Sequence, residues 1–252
     1  MDKSGQLRAF FLENGRGALG FSGGVDSSYL LYAARAFGAD VRPYYVKSAF
    51  QPRFELEDAQ KLARSLGAEL TVLEADILAN ADVAANPPDR CYHCKRAIFG
   101  LIRSRAALDG YHTLLDGTNA SDDLADRPGM KALEQLGVRS PLRECGLDKS
   151  DIRKLSREAG LFTWDKPAYA CLATRVPSGR TITLELLRRV EGAEDALYRM
   201  GFSDFRVRVY QDAARLQLPE NQMRRAAEAG AAIREQLKPY FDLVYLDLAG
   251  RP

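Results

Sequence analysis

The chain has 252 residues with 36 Lys and Arg against 34 Asp and Glu, so its net charge of +2 provides no global field for wrapping a polyanion. A small anionic substrate suits that balance better than a nucleic acid. No stretch approaches the roughly 20 apolar residues that cross a bilayer, and Met1-Asp2-Lys3-Ser4-Gly5-Gln6 opens no apolar leader, which predicts a cytoplasmic protein whose four cysteines serve metal or sulfur chemistry rather than disulfides.

In chain order, Leu7 to Asn14 reads as a short helix and Ala18 to Phe21 as a strand. A turn, Ser22-Gly23-Gly24-Val25-Asp26-Ser27-Ser28, then opens a helix running to about Phe37. Val41 to Tyr45 is the next strand, Glu55 to Leu66 a helix stopped by Gly67, and Leu70 to Leu73 a strand. Cys94 to Leu108 has helical spacing, and Thr113 to Asp116 is a strand ending at Gly117-Thr118-Asn119. Ligands in open α/β sheets sit at such strand ends. Asp148 leads a helix from Ile152 to Ala159, which Gly160 stops. The alternation predicts an α/β fold with a parallel sheet. Past Trp164-Asp165-Lys166-Pro167 the pattern changes to a smaller α+β unit. There Thr183 to Met200 and Asn221 to Leu237 read as helices, Phe205 to Tyr210 and Ala214 to Leu218 as an antiparallel pair, and Leu243 to Asp247 as a last strand. Two domains are expected, 1–165 and 166–252.

The turn at Ser22 is built to grip phosphate. Paired glycines let the backbone bend where a Cβ would clash, and the N–H groups of the first helical turn face an anion with the helix dipole behind them. Ser27 and Ser28 add hydroxyl donors. The Gly-Lys-Ser/Thr ending of a Walker A loop, whose lysine reaches the β- and γ-phosphates, is missing, so γ-phosphoryl transfer is a poor reading. The pattern resembles the PP-loop of ATP pyrophosphatases, which implies cleavage of ATP between its α- and β-phosphates and transfer of AMP to a substrate oxygen. Asp26 would repel phosphates as a bare carboxylate, which points to Mg2+ or to capping of the loop.

Cys91 and Cys94 lie in Cys91-Tyr92-His93-Cys94, and Cys171 in Tyr169-Ala170-Cys171-Leu172. Three thiolates suit a [4Fe–4S] cluster with one iron left without a protein ligand, and zinc with His93 or Cys145 is the rival. For Cys145, packing is the better reading. Arg175 and Arg180 near Cys171 point instead to a nucleophilic thiolate. Alternation sets Arg206 and Arg208 on one strand face, where two guanidiniums clamp a phosphate or simply meet water.

The phosphate turn, Gly117 to Asp123, Arg127-Pro128-Gly129, the block Trp164 to Arg175 and the Arg206/Arg208 strand together resemble the LarE family over nearly the whole chain. The resemblance implies an adenine-nucleotide α-hydrolase-like PP-loop domain. It also implies an ATP- and Mg2+-dependent sulfur transferase that converts a pyridinium dicarboxylate mononucleotide into its thiocarboxylate on the way to a nickel-pincer cofactor. Asp122, Arg127, Arg206 and Arg208 match positions lining the substrate or phosphate site, with Gly117 beside them, and Glu194 falls near an acidic metal site. In one branch of the family the cysteine matching Cys171 surrenders its own sulfur and becomes dehydroalanine. Cys91 and Cys94 resemble the other branch, in which three cysteines hold a [4Fe–4S] cluster that relays sulfide. A homo-oligomer is implied. A tRNA thiolase and an NAD-synthetase-like amide former are the enzymatic rivals, and a nucleotide sensor the non-catalytic one.

Overall fold

The computed structural model describes residues 2–122 and 128–251, which fall into two compact units: Met1–Ile77 with Asp89–Tyr169, and Leu78–Pro88 with Ala170–Pro252. In chain order the first opens with helix α1 (Lys3–Glu13), strand β1 (Arg16–Gly20), helix α2 (Val25–Ala36), strand β2 (Asp40–Lys47), helix α3 (Arg53–Ser65) and strand β3 (Thr71–Glu74). A short helix, α4 (Ala81–Ala84), belongs to the second unit. The first resumes with α5 (Arg90–Leu108), β4 (Leu114–Leu115), α6 (Pro128–Gln135), the single turn α7 (Pro141–Glu144) and α8 (Lys149–Glu158).

The four strands form one parallel sheet in the order β3-β2-β1-β4. Central β1 is flanked on both sides, which is why its middle reads as an unbroken run of small and apolar residues. Successive side chains point to opposite faces and divide the core. Leu19, Val41, Tyr45 and Leu115 pack with Leu7, Phe10, Leu30, Leu31 and Ile152 of α1, α2 and α8. On the other face Ala18, Tyr44, Val46 and Leu114 pack with Phe99, Ile102 and Ala106 of α5 and Leu133 of α6. The parallel α/β architecture expected from the alternation is the one observed.

Two helices start earlier than their periodicity suggests. Helix α5 begins at Arg90, directly after Pro87-Pro88-Asp89, so that Cys91 and Cys94 both lie in its first turns. Asp148 begins α8 at Lys149 through a capping box, accepting from the Ser150 and Asp151 amides while the Asp151 side chain takes the Asp148 N–H.

In the second unit, helix α9 (Leu184–Arg199) is capped by Thr183 and packs on a sheet of strands β5 (Arg206–Tyr210), β6 (Ala213–Gln217) and β7 (Val244–Leu246). β5 and β6 are antiparallel, as expected, and β7 runs parallel to β6. The single helix expected from Asn221 to Leu237 is two, α10 (Glu220–Glu228) and α11 (Gly230–Leu237). Ala229 ends the first and its carbonyl accepts from Ile233 N at 2.9 Å, while Gly230, a weak helix former, marks the break. Leu78–Pro88 joins this unit through Asn86, whose side chain donates to Pro177 O at 2.8 Å and whose carbonyl accepts from Gly179 N at 2.8 Å. No helix among the described residues is long and apolar enough to cross a membrane.

Candidate active site

The phosphate turn lies where β1 ends and α2 begins. Gly23 has φ +71°, and a Cβ there would stand 3.1 Å from Ala59, so both backbone sign and space require glycine. Ser22 Oγ and Ser27 Oγ are 3.1 Å apart, and Ser27 Oγ also donates to Gly24 O at 3.3 Å. The Ser28 hydroxyl is buried with no hydrogen-bond partner. Ser22 is the exposed serine of the turn, and Ser27 and Ser28 are buried beneath it.

Asp26 does not cap the loop. The N-cap position of α2 is Gly24, and Asp26 lies inside the first helical turn, where its carboxylate pairs with Lys149 Nζ through Oδ2. Its other oxygen, Oδ1, is buried and bonded to nothing. Burial raises the Asp26 pKa, the Lys149 contact opposes that rise, and the nearby Asp122 charge adds to it. A buried carboxylate oxygen without a partner, a second carboxylate close by and hydroxyl donors are a hard-oxygen set. Mg2+ takes one or two carboxylates and completes its shell with water and phosphate. The residues present fit that ion.

The β4 end closes on this turn. A Cβ on Gly117 would stand 2.9 Å from Ser27 N, so only glycine lets the strand end lie against the phosphate turn. Next to it Asp116 is buried, accepting from Thr118 N at 3.2 Å and Ser140 Oγ at 2.6 Å. Asp122 Oδ2 takes Asn119 N at 3.0 Å, its carbonyl takes Arg143 Nη1 at 2.7 Å, and Ser121 Oγ accepts from Lys149 N at 2.9 Å. Gly117 and Asp122 thus join the turn. Arg127 lies outside the described residues. Gly117→Ala should push the Ser27 backbone, cost about 1–3 kcal/mol of stability and lower ATP affinity, as thermal unfolding and nucleotide titration would read. Unchanged ATP affinity would contradict the close approach.

Within the first unit Trp164 to Tyr169 is anchored on α3 and α8. Lys166 Nζ pairs with Asp58 at 2.7 Å, the Tyr169 ring meets Phe54 edge-on, and Arg153 donates to the Trp164 and Lys166 carbonyls.

In the second unit Cys171 is the half-buried residue before a one-turn helix, Leu172–Arg175. Its carbonyl accepts from Thr174 N at 3.0 Å and Thr174 Oγ1 at 2.8 Å. The Arg175 side chain is fully buried and donates to Glu194 Oε1 at 2.7 Å, to Ala170 O at 3.0 Å and to Thr174 Oγ1 at 2.8 Å. Glu194 Oε1 also accepts from Val207 N at 2.9 Å. The carboxylate that the resemblance sets near a metal site is therefore engaged by a guanidinium and a strand amide. Arg175 and Arg180, read as activators of the Cys171 thiol, are both paired with acids, Arg180 with Asp212 at 3.1 Å.

Arg206 and Arg208 do share a face of β5, opposite Gln217 and Arg215. Arg206 is buried and donates to Phe205 O at 2.6 Å, so a merely solvated strand face is not what forms. Arg208 binds Gln217 Oε1 and, at 2.7 Å, Thr174 O. Burial first, then the positive charge of Arg175 and further arginines, lowers the pKa of both. Crowded, partly desolvated guanidiniums are complemented by an anion.

Cys145 is a core residue, 6% exposed, whose thiol pKa burial raises. It lies between α7 and α8 as packing, as its surroundings in sequence suggest. Cys91 is exposed and Cys94 half-buried, one turn apart on α5, with Arg90 Nη2 3.6 Å from the Cys91 sulfur and His93 3.4 Å from Asp89. Among the described residues no group of three or more His, Cys, Asp or Glu stands in metal-holding geometry. Cys91 and Cys94 are thiolate donors of the type an iron-sulfur centre takes, and Cys171 belongs to the other unit. Lys149 is the residue that local pattern misses.

A parallel four-stranded sheet with a serine-glycine turn at the end of its central strand, and no Walker lysine in that turn, defines a PP-loop nucleotide-binding domain. No family model matches the chain. It is similar to the uncharacterized protein slr1717 of Synechocystis, 38% identical over 97% of this chain and 92% of that protein. It is also 34% identical to the pyridinium-3,5-bisthiocarboxylic acid mononucleotide synthase of Lactiplantibacillus plantarum, over 98% of this chain and 91% of the synthase. A partial likeness, 30% identity over 71% of this chain and 38% of the relative, extends to the glutamine-hydrolyzing GMP synthase of Aeropyrum pernix. The chain belongs to the family of the pyridinium-3,5-bisthiocarboxylic acid mononucleotide synthase.

Proposed function

We propose that this protein is an ATP-dependent sulfurtransferase that adenylates a carboxylate of a pyridinium dicarboxylate mononucleotide and converts it to a thiocarboxylate. Its place is the cytoplasmic assembly of a nickel-pincer cofactor, and its working form a homo-oligomer. The observation that carries the reading is the phosphate turn with its unpartnered Asp26 oxygen, in a chain that matches the plantarum synthase nearly end to end.

In the first step a substrate carboxylate oxygen attacks the α-phosphorus, the bond to the β-phosphate oxygen breaks, and pyrophosphate leaves with the electron pair. Turn N–H groups and the Ser27 and Ser28 hydroxyls meet the charge that develops on pyrophosphate. Mg2+, when bound at Asp26 and Asp122, supplies further positive charge to the same oxygens. Arg206 and Arg208 hold the substrate's phosphate, and Arg127 joins them by resemblance. In the second step a sulfur nucleophile attacks the acyl carbon and AMP departs with the bonding pair. Where the Cys171 thiolate is that nucleophile, the thioester it forms is released as thiocarboxylate when the Cys171 Cα proton is lost to a base and the Cβ–S bond breaks, leaving dehydroalanine. By resemblance, a [4Fe–4S] centre on Cys91, Cys94 and Cys171 would supply sulfide instead.

The test is turnover with the pyridinium dicarboxylate mononucleotide and Mg-ATP. AMP and pyrophosphate should appear in equal amounts and only when the acid is present. ADP and phosphate as products, or turnover indifferent to the acid, would overturn the reading.

A further inference from the structure

The geometry points to Lys149 as the cation that the phosphate turn itself lacks, delivered from the start of α8 to bind the pyrophosphate portion of ATP. Three observations meet at this residue. The turn contains no lysine, whereas Lys149 Nζ stands on Asp26 Oδ2 within the first turn of α2. Its main chain is fixed, because Lys149 N donates to Ser121 Oγ at 2.9 Å and Asp148 caps the helix it opens. Its side chain is 38% exposed, so the ammonium is not sealed in with the carboxylate it pairs.

Asp26 in turn keeps one oxygen buried and unpartnered, so its present pairing with Lys149 leaves the carboxylate half satisfied. A divalent cation brought in with the nucleotide competes for that carboxylate and frees an ammonium beside the turn's N–H and hydroxyl donors. A mobile ammonium on a four-carbon stem suits a handover from carboxylate to phosphate oxygen. No covalent bond changes at the lysine. This assignment rests on the adenylation reading above and names one more residue of the same site.

The experiment is titration of the full chain with inorganic pyrophosphate plus Mg2+, and separately with AMP. Lys149→Met should weaken pyrophosphate binding about ten- to hundredfold, the loss expected for one charge-assisted contact, and leave AMP binding unchanged. Lys149→Arg should keep most of the affinity. The discriminating pair is Asp26→Asn against Asp26→Asn/Lys149→Met. A lysine that only neutralises Asp26 has nothing left to do in the first of these, so its removal would change nothing. A lysine that binds phosphate still costs about tenfold or more there, and this comparison stands even where Lys149→Met alone, with Asp26 left uncompensated, fails to fold. Equal pyrophosphate affinity in the two Asp26→Asn proteins would overturn the assignment while leaving adenylation intact. Wild-type protein whose pyrophosphate affinity depends on Lys149 but which forms no AMP and pyrophosphate from ATP in the presence of the acid would overturn the adenylation reading instead.

Discussion

Cys171→Ser should abolish thiocarboxylate formation and leave the first half of the reaction standing. A serine hydroxyl ionises far above neutral pH and is a weak nucleophile without a base to activate it, so it neither donates sulfur nor ligates iron as a thiolate does. The phosphate turn, Asp26 and Gly117 belong to the other unit of the chain. The variant should therefore release pyrophosphate once per chain, in a burst, and then stall with the acid adenylated. Mass spectrometry of the product and a pyrophosphate assay read the two halves separately. Thiocarboxylate appearing within about tenfold of the wild-type rate would remove Cys171 from the chemistry. The wild-type chain after turnover separates the two sulfur sources: a loss of roughly 34 Da, the mass of hydrogen sulfide, marks a consumed thiol, and an unchanged mass with bound iron marks the relay.

Glu194→Ala should be the most damaging substitution for stability in the second unit. The Arg175 side chain has no solvent exposure and the Glu194 side chain 3%, so removing the carboxylate strands a buried guanidinium and takes an acceptor from Val207 N. Breaking such a pair from one side costs about 3–5 kcal/mol, much of it the penalty of the charge left behind. The effect should reach function, because the same guanidinium holds the Ala170 carbonyl and the Thr174 hydroxyl that frame Cys171. Glu194→Gln, which keeps the acceptor for Val207, should fall between. Urea unfolding checks the order. A change below about 1 kcal/mol for the alanine variant would mean that Arg175 is compensated elsewhere.

Much of the first unit was legible from local pattern because its elements obey local rules. Strand, glycine turn and helix follow one another from Ala18 to Phe37 in a spacing that only a βα unit uses, and the apolar runs at Val41 and Leu114 mark strands covered on both faces. The common face of Arg206 and Arg208 follows from a period of two. What escaped depends on partners far apart in the chain. Asp26 and Lys149 are 123 residues apart, and nothing near either names the other. Asn86 bonds residues some 90 positions on, which draws Leu78–Pro88 to the second unit without any local sign. Glu194 looks like one more acid on an amphipathic helix until Arg175 is found against it. The break at Ala229-Gly230 is a milder case, since glycine lowers helix propensity without dictating where a helix stops. The form of the turn was thus readable from residue types, and the lysine paired with its aspartate was not.

The central claim is that the acid, rather than water or ammonia, receives AMP. Substrate carrying oxygen-18 in both carboxylates tests this directly when AMP is recovered after one turnover and weighed. Acyl adenylation transfers one carboxylate oxygen to phosphorus, so the account predicts AMP labelled at its phosphate in proportion to thiocarboxylate formed. Unlabelled AMP accompanying labelled product would contradict it.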